Sequence, residues 1–155
     1  MKTLFVLSGP PASGKSTYLR SLDFSKGNAA VVSRDQIRFS MLMPWDDYFA
    51  HEDEVWHEYV RQSRLALDLN DIVFLDATHI NPRSRAKILR ELNLGDVVVM
   101  GLNFHASLED CITRNAAREG RAHVPESALR DMYERWEPIA AGERFFNGVL
   151  DKGDV

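Results

Sequence analysis

The residues Gly9-Pro10-Pro11-Ala12-Ser13-Gly14-Lys15-Ser16 constrain this chain more than any other stretch, because they fit G-x-x-x-x-G-K-[ST] in the context that gives the pattern physical meaning. Leu4 to Leu7 before them is a short unbroken apolar run, the mark of a strand covered on both faces, and Lys15 to Leu22 behind them reads as a helix. Glycines at 9 and 14 let the backbone turn tightly, so that the amides of Ser13 through Thr17 aim at phosphate oxygens from a helix N-terminus. Lys15 is then placed for the β- and γ-phosphates of ATP or another nucleoside triphosphate, the Ser16 hydroxyl for Mg²⁺, and Thr17 for the α-phosphate. Pro10 and Pro11 stiffen the approach and donate nothing. The plain alternative is a Gly-Pro turn with a solvated lysine, and the flanking strand and helix speak against it.

Strand and helix signals alternate along the rest of the chain. Further apolar runs at Ala30 to Val32, Ile72 to Leu75 and Val97 to Leu102 predict, with the first, an α/β three-layer sandwich: a parallel sheet of about four strands with helices on both faces. Helices are expected over Asp35 to Met43, His51 to Leu69, Pro82 to about Asn93, Ser107 to about Glu119 and Glu126 to about Glu137. Ser33 with Gln36, Asn81 before Pro82, and Ser107 with Asp110 supply starts, and Gly120 and Pro138 supply stops. The tail beyond Ala141 carries no clear signal. With 155 residues and no repeat or linker, residues 1–155 read as one domain.

Composition narrows the class. At 45% apolar and 27% charged the chain matches globular proteins, and no apolar run nears the roughly 18 residues that would cross a bilayer. The single cysteine, Cys111, has no internal disulfide partner, and no leader is evident, so a cytoplasmic location is expected. A net charge of −4 argues against a general duplex-DNA coat but leaves room for a local basic cleft. Arginines cluster at 34, 38, 114, 118 and 121, and the guanidinium fork suits phosphate oxygens.

Three further segments belong near the triphosphate. In Ser33-Arg34-Asp35-Gln36-Ile37-Arg38, at the end of the second strand, Asp35 is a candidate base for an acceptor hydroxyl and Arg38, one turn on, a candidate for an acceptor phosphate. A dipole-favoured aspartate ion-paired with Arg38 at i+3 fits the spacing equally well. Asp76 ends the third strand and is placed to steady Mg²⁺, through water, or else to cap the next turn. Arg114 and Arg118, four apart, share a helix face that either covers the triphosphate or is a solvated, paired face. Arg83 and Arg85, just inside a helix start, either touch a nucleic-acid strand or are solvated charges. Trp45, Tyr48 and Phe49 either stack a base or pack in the core. The five histidines lack zinc-ligand spacing, and only His79 is expected in the crevice.

Taken together, G-P-P-A-S-G-K-S-T-Y and S-R-D-Q-I-R resemble the kinase domain of bacteriophage polynucleotide 5′-kinases, whose segments have the form G-x-P-x-S-G-K-S-T and N-R-D-x-x-R. Arg114-Asn115-Ala116-Ala117-Arg118, Val124-Pro125 and Leu129 to Tyr133 resemble that family's lid, here about 107–125, and the helix after it. The resemblance implies transfer of the γ-phosphate of ATP to the 5′-hydroxyl of single-stranded or end-exposed DNA or RNA, with Mg²⁺, in nucleic-acid repair. It implies Lys15, Asp35 and Arg118 as catalytic residues, Arg38 on the 3′-phosphate of the terminal nucleotide, and Arg114 and Arg118 on the donor phosphates. Where that family has an Asp-Thr pair, Ala77 separates Asp76 from Thr78, which leaves the role of Thr78 open, as is that of Arg121. A phosphatase and a ligase are expected as separate proteins, and a homo-oligomer is compatible with the resemblance. Two other readings stand beside it: a small-molecule P-loop kinase acting on a sugar, nucleoside or antibiotic, and a non-catalytic NTP-binding switch or toxin-like module.

Overall fold

The computed structural model describes residues 1–153. Its strands are β1 (Thr3–Ser8), β2 (Ala29–Ser33), β3 (Ile72–Asp76), β4 (Val98–His105) and β5 (Gly148–Gly153). Its helices are α1 (Lys15–Arg20), α2 (Arg34–Met41), α3 (Glu52–Leu69), α4 (Pro82–Leu92), α5 (Leu108–Ala116) and α6 (Glu126–Arg135), with a 3₁₀ turn at Gly120–Ala122. The sheet order is β2-β3-β1-β4-β5, and all four pairings are parallel. The chain therefore folds as a P-loop NTPase-type α/β sandwich. A fifth strand joins the expected four: Gly148–Gly153 lies against Met100 to His105 at the sheet edge. Its signal is weak because an edge strand need bury only one side, and Leu150 is half exposed.

Alternation along each strand feeds two apolar layers. Leu4 and Val6 of β1 join Val32, Val55, Tyr59, Leu75, Ile88 and Val99 beneath α2, α3 and α4. Leu7, Phe74, Leu102 and Phe104 face the other way, against Leu19 and Tyr18 of α1. Each such Val, Leu or Phe side chain taken fully out of water stabilises the fold by about 1.5–3 kcal/mol. A third cluster, Cys111, Val124 and Leu129, packs α5 against α6 and holds the segment between them over the strand ends.

Local capping works as the residues dictate. The Ser33 hydroxyl accepts from the Gln36 amide at 3.3 Å, the Ser107 hydroxyl from the Asp110 amide at 3.0 Å, and Asn81 and Ser84 cap one another behind Pro82. Two buried asparagines brace the irregular segments. Asn115 pairs both its amide groups with the Val124 backbone (2.7 and 2.9 Å), and Asn103 does the same with Ile139 (2.9 and 2.8 Å). Each pair satisfies a backbone N–H and C=O that burial would otherwise leave unpaired.

Candidate active site

The strand order reverses at β1: β2 and β3 lie to one side of it, β4 and β5 to the other. Ligands of open parallel sheets bind beyond the strand ends at such a switch, and a cleft of about 770 Å³ opens there. The loop after β1 forms its floor. Gly14, at φ 108°, caps α1 in a conformation that a side chain would strain. Gly9 has no room for a Cβ, which would lie 3.0 Å from the Phe104 carbonyl oxygen and 2.8 Å from Ser13 Oγ. The Gly9 amide donates to the Thr78 carbonyl at 3.0 Å, which ties the phosphate loop to the loop after β3.

Lys15 is buried, and its ammonium donates to the carbonyls of Gly9 and Pro10, both at 2.8 Å. Burial lowers its pKa, against the opposing pull of the Asp76 and Asp35 carboxylates. Burial in turn raises the Asp76 carboxyl; Lys15 opposes this and Asp35 adds to it. Ser16 and Thr17 stand at the mouth of the same cleft.

The register Ser33↔Asp76 sets the ends of β2 and β3 side by side, so Arg34 and Asp35 emerge next to Asp76 and in the cleft with Lys15. Asp35 is half exposed and accepts from Arg38 Nη1, with the Tyr48 hydroxyl 3.5 Å away. The ion pair that the i,i+3 spacing allowed is thus present. Sequence reasoning missed its third member, Glu52 at the start of α3, which accepts from Arg38 Nε and Nη2 at 2.8 Å each. Fourteen residues separate Arg38 from Glu52, and no local signal links them. Burial works against the Arg38 charge, but the bonds to Glu52 and the charge of Asp35 outweigh it and raise its pKa. Glu52 lies below the usual carboxylate range: burial opposes its charge, and Arg38 and Arg34 overcome that. Tyr48, pushed up to about 12 by burial and by Asp35, stays a neutral phenol.

From the far side, Arg114 Nη1 donates to the Ala12 carbonyl at 3.3 Å and Arg118 Nη1 to the Ala122 carbonyl at 3.4 Å, both side chains lining the cleft. Arg121 instead spans to the loop after α2, donating to Met43 O at 2.7 Å.

Two sequence expectations change. Arg85, read as a strand-binding or solvated charge, is fully buried: it pairs with Glu143 through Nε and Nη2 (2.8 and 2.7 Å) and donates to the carbonyls of His79 and Glu137. His79 is buried rather than open to the crevice, between the Leu7 carbonyl at Nδ1 and the Tyr59 hydroxyl at Nε2. Of the three aromatics, Trp45 is 77% exposed, while Tyr48 packs edge-on to Phe39 and Phe49 over Arg38.

Among the described residues no group of three or more His, Cys, Asp or Glu forms a metal cage. A hydroxyl at 16 and a carboxylate at 76 on one cleft are hard oxygen donors, the set that suits Mg²⁺, which keeps several waters and takes its other ligands from phosphates. Among the described residues no helix is long and apolar enough to cross a membrane.

A model of the AAA domain family matches residues 4–139. No curated protein matches the chain. Among solved structures, the fold is similar to a chain of a Pnkp1/Rnl/Hen1 RNA repair complex, at 22% identity and a TM-score of 0.69, over 86% of this chain and 43% of that one. It is also similar to a fungal RNA kinase (18% identity, TM-score 0.66, 97% of this chain and 38% of that one). A gluconokinase from Sinorhizobium meliloti 1021 is similar at 20% identity and a TM-score of 0.57, over 96% of this chain and 82% of that one. The chain spans less than half the length of the two RNA-related chains, and at these identities the likeness is one of fold.

Proposed function

The chain belongs to the AAA domain family, and from that premise we propose that it is an ATP-dependent polynucleotide 5′-hydroxyl kinase. The observation that carries the reading is the shared cleft: Lys15 on the phosphate loop, and Asp35 with Arg38 one turn behind it, open into the same space. Loop amides and Lys15 hold the β- and γ-phosphates. Ser16, with Asp76 through water, would hold Mg²⁺, which supplies charge neutralisation between the phosphates. Asp35 takes the proton of the acceptor 5′-hydroxyl as its oxygen bonds to the γ-phosphorus and the bond to the β,γ-bridging oxygen breaks. Arg38 holds the 3′-phosphate of the terminal nucleotide. Arg114 and Arg118 place positive charge on the donor phosphates.

In this role residues 1–155 form one kinase domain, with residues 107–125 as its lid. One observation favours a second reading, a small-molecule kinase: Arg38 already has Glu52 and Asp35 as partners, and an acceptor without a phosphate would leave that arrangement undisturbed.

Incubation with Mg²⁺, γ-labelled ATP and a panel of 5′-hydroxyl DNA, RNA, nucleosides and sugars decides between them. Label on the 5′ ends of oligonucleotides is expected; label confined to sugars or nucleosides would establish the second reading, and no label at all would leave an NTP-binding module. Asp35→Asn is expected to keep ATP affinity and lower turnover about 100-fold or more.

A further inference from the structure

We propose that Arg34 is a second phosphate-binding guanidinium at the acceptor end of the cleft, specific for an acceptor nucleotide that carries a 3′-phosphate as well as its reacting 5′-hydroxyl. The inference rests on the polynucleotide reading and deepens it. The arginines around the cleft differ in how they are partnered. Arg38 takes both oxygens of Glu52 and one of Asp35, and Arg114, Arg118 and Arg121 each rest on a backbone carbonyl. Arg34 approaches the same Glu52 only at 3.6 Å, and its buried Nε has no hydrogen-bond partner among the described residues.

Aromatic rings hold Arg34 in place instead. Its guanidinium carbon lies 5.5 Å from the Trp56 ring centre and 6.0 Å from that of Tyr59. Nε is covered, yet the side chain as a whole is 29% exposed and lines the cleft beside Asp35. Packing therefore fixes the fork's direction without using up its donors. Both oxygens of Glu52 accept from Arg38, so Arg34 is the member of the pair with donors to spare. A phosphate, with three acceptor oxygens, can be gripped by such a fork in a way that a sugar hydroxyl cannot. Burial lowers the pKa of Arg34, Glu52 opposes this and Arg38 adds to it. The group stays charged, and it is an under-compensated cation that an incoming anion relieves.

The test is direct binding, with the donor loop filled by Mg²⁺ and a non-transferable ATP analogue. The affinity of thymidine 3′-monophosphate is compared with that of thymidine for wild type, Arg34→Ala and Arg34→Gln. Wild type is expected to prefer the 3′-phosphorylated compound, and both variants to cut that preference about tenfold or more, as loss of hydrogen bonds to a charged group does, with the affinity for the ATP analogue unchanged. Should Arg34→Ala fail to fold by circular dichroism, Arg34→Gln, which keeps the stem and a planar head, decides alone. The proposal is overturned by a preference that survives, by no preference in wild type, or by equal weakening of thymidine and of the ATP analogue, which would mark Arg34 as packing only. Wild type that prefers the 3′-phosphate yet labels no oligonucleotide would sink the kinase reading and leave the anion pair standing.

Discussion

Removing the side chain of Arg85 strands a charge. Glu143, only 11% exposed, loses both its bonds, and Ser8, directly before the phosphate loop, loses one of the two donors on its hydroxyl, the other being Trp136 Nε1 at 2.9 Å. Arg85→Ala is expected to cost about 3–5 kcal/mol of stability in urea titration, and Arg85→Met with Glu143→Leu to recover much of it, because breaking a buried pair costs more than replacing it. His79 is a second such residue. A carbonyl only accepts, so Nδ1 carries the proton toward Leu7 and Nε2 accepts from Tyr59. Burial lowers the His79 pKa to about 3 from its ordinary 6.5, although the Leu7 bond pulls the other way. Between these values the unfolded chain binds the proton and the folded one does not, so the contribution falls as pH falls through the window, by about 1.4 kcal/mol per unit. Stability measured from pH 7 to pH 4 is expected to drop more steeply in wild type than in His79→Gln by about that slope. A parallel decline would show that His79 titrates freely.

At the scale of elements, the turns and caps are the testable parts. The Asn81 side chain accepts from the Ser84 amide at 2.8 Å at the head of α4, and Asn81→Ala is expected to lower stability by about 1 kcal/mol in denaturant titration. A methyl at Gly9 would meet Phe104 and Ser13, so Gly9→Ala is expected to displace the phosphate loop and weaken nucleotide binding in calorimetry while the far-UV spectrum stays native. These same features explain what could be read in advance. The strand-loop-helix around Lys15, the caps at Ser33, Asn81 and Ser107, and the paired Asp35 and Arg38 are written within a few residues of one another, where backbone geometry decides. Glu52 holding Arg38, Glu143 neutralising Arg85 at a separation of 58, and β5 completing the sheet depend on which distant segments meet. Arg85 shows the limit well: one turn inside a helix start, its type and position say solvent, and only a carboxylate from the far end of the chain makes its burial tolerable.

Across the whole molecule the charge is −4, so the polynucleotide reading requires attraction for a strand to be local. With Arg34 and Arg38 gripping one acceptor phosphate, the logarithm of oligonucleotide affinity is expected to fall against the logarithm of salt with a slope of about −0.7, the value for one phosphate contact. A slope steeper than about −3 in a titration of a labelled oligonucleotide would require a long basic track instead. On the kinase reading, one contact on the floor of the cleft also bears on how the molecule would pass from one turnover to the next. With its ammonium seated on the Gly9 and Pro10 carbonyls, the loop supplies a resident rival to the triphosphate. An arriving donor would exchange oxygen for oxygen at Lys15 instead of meeting a bare cation, which would soften affinity. A departing product would hand the ammonium straight back to the same two carbonyls.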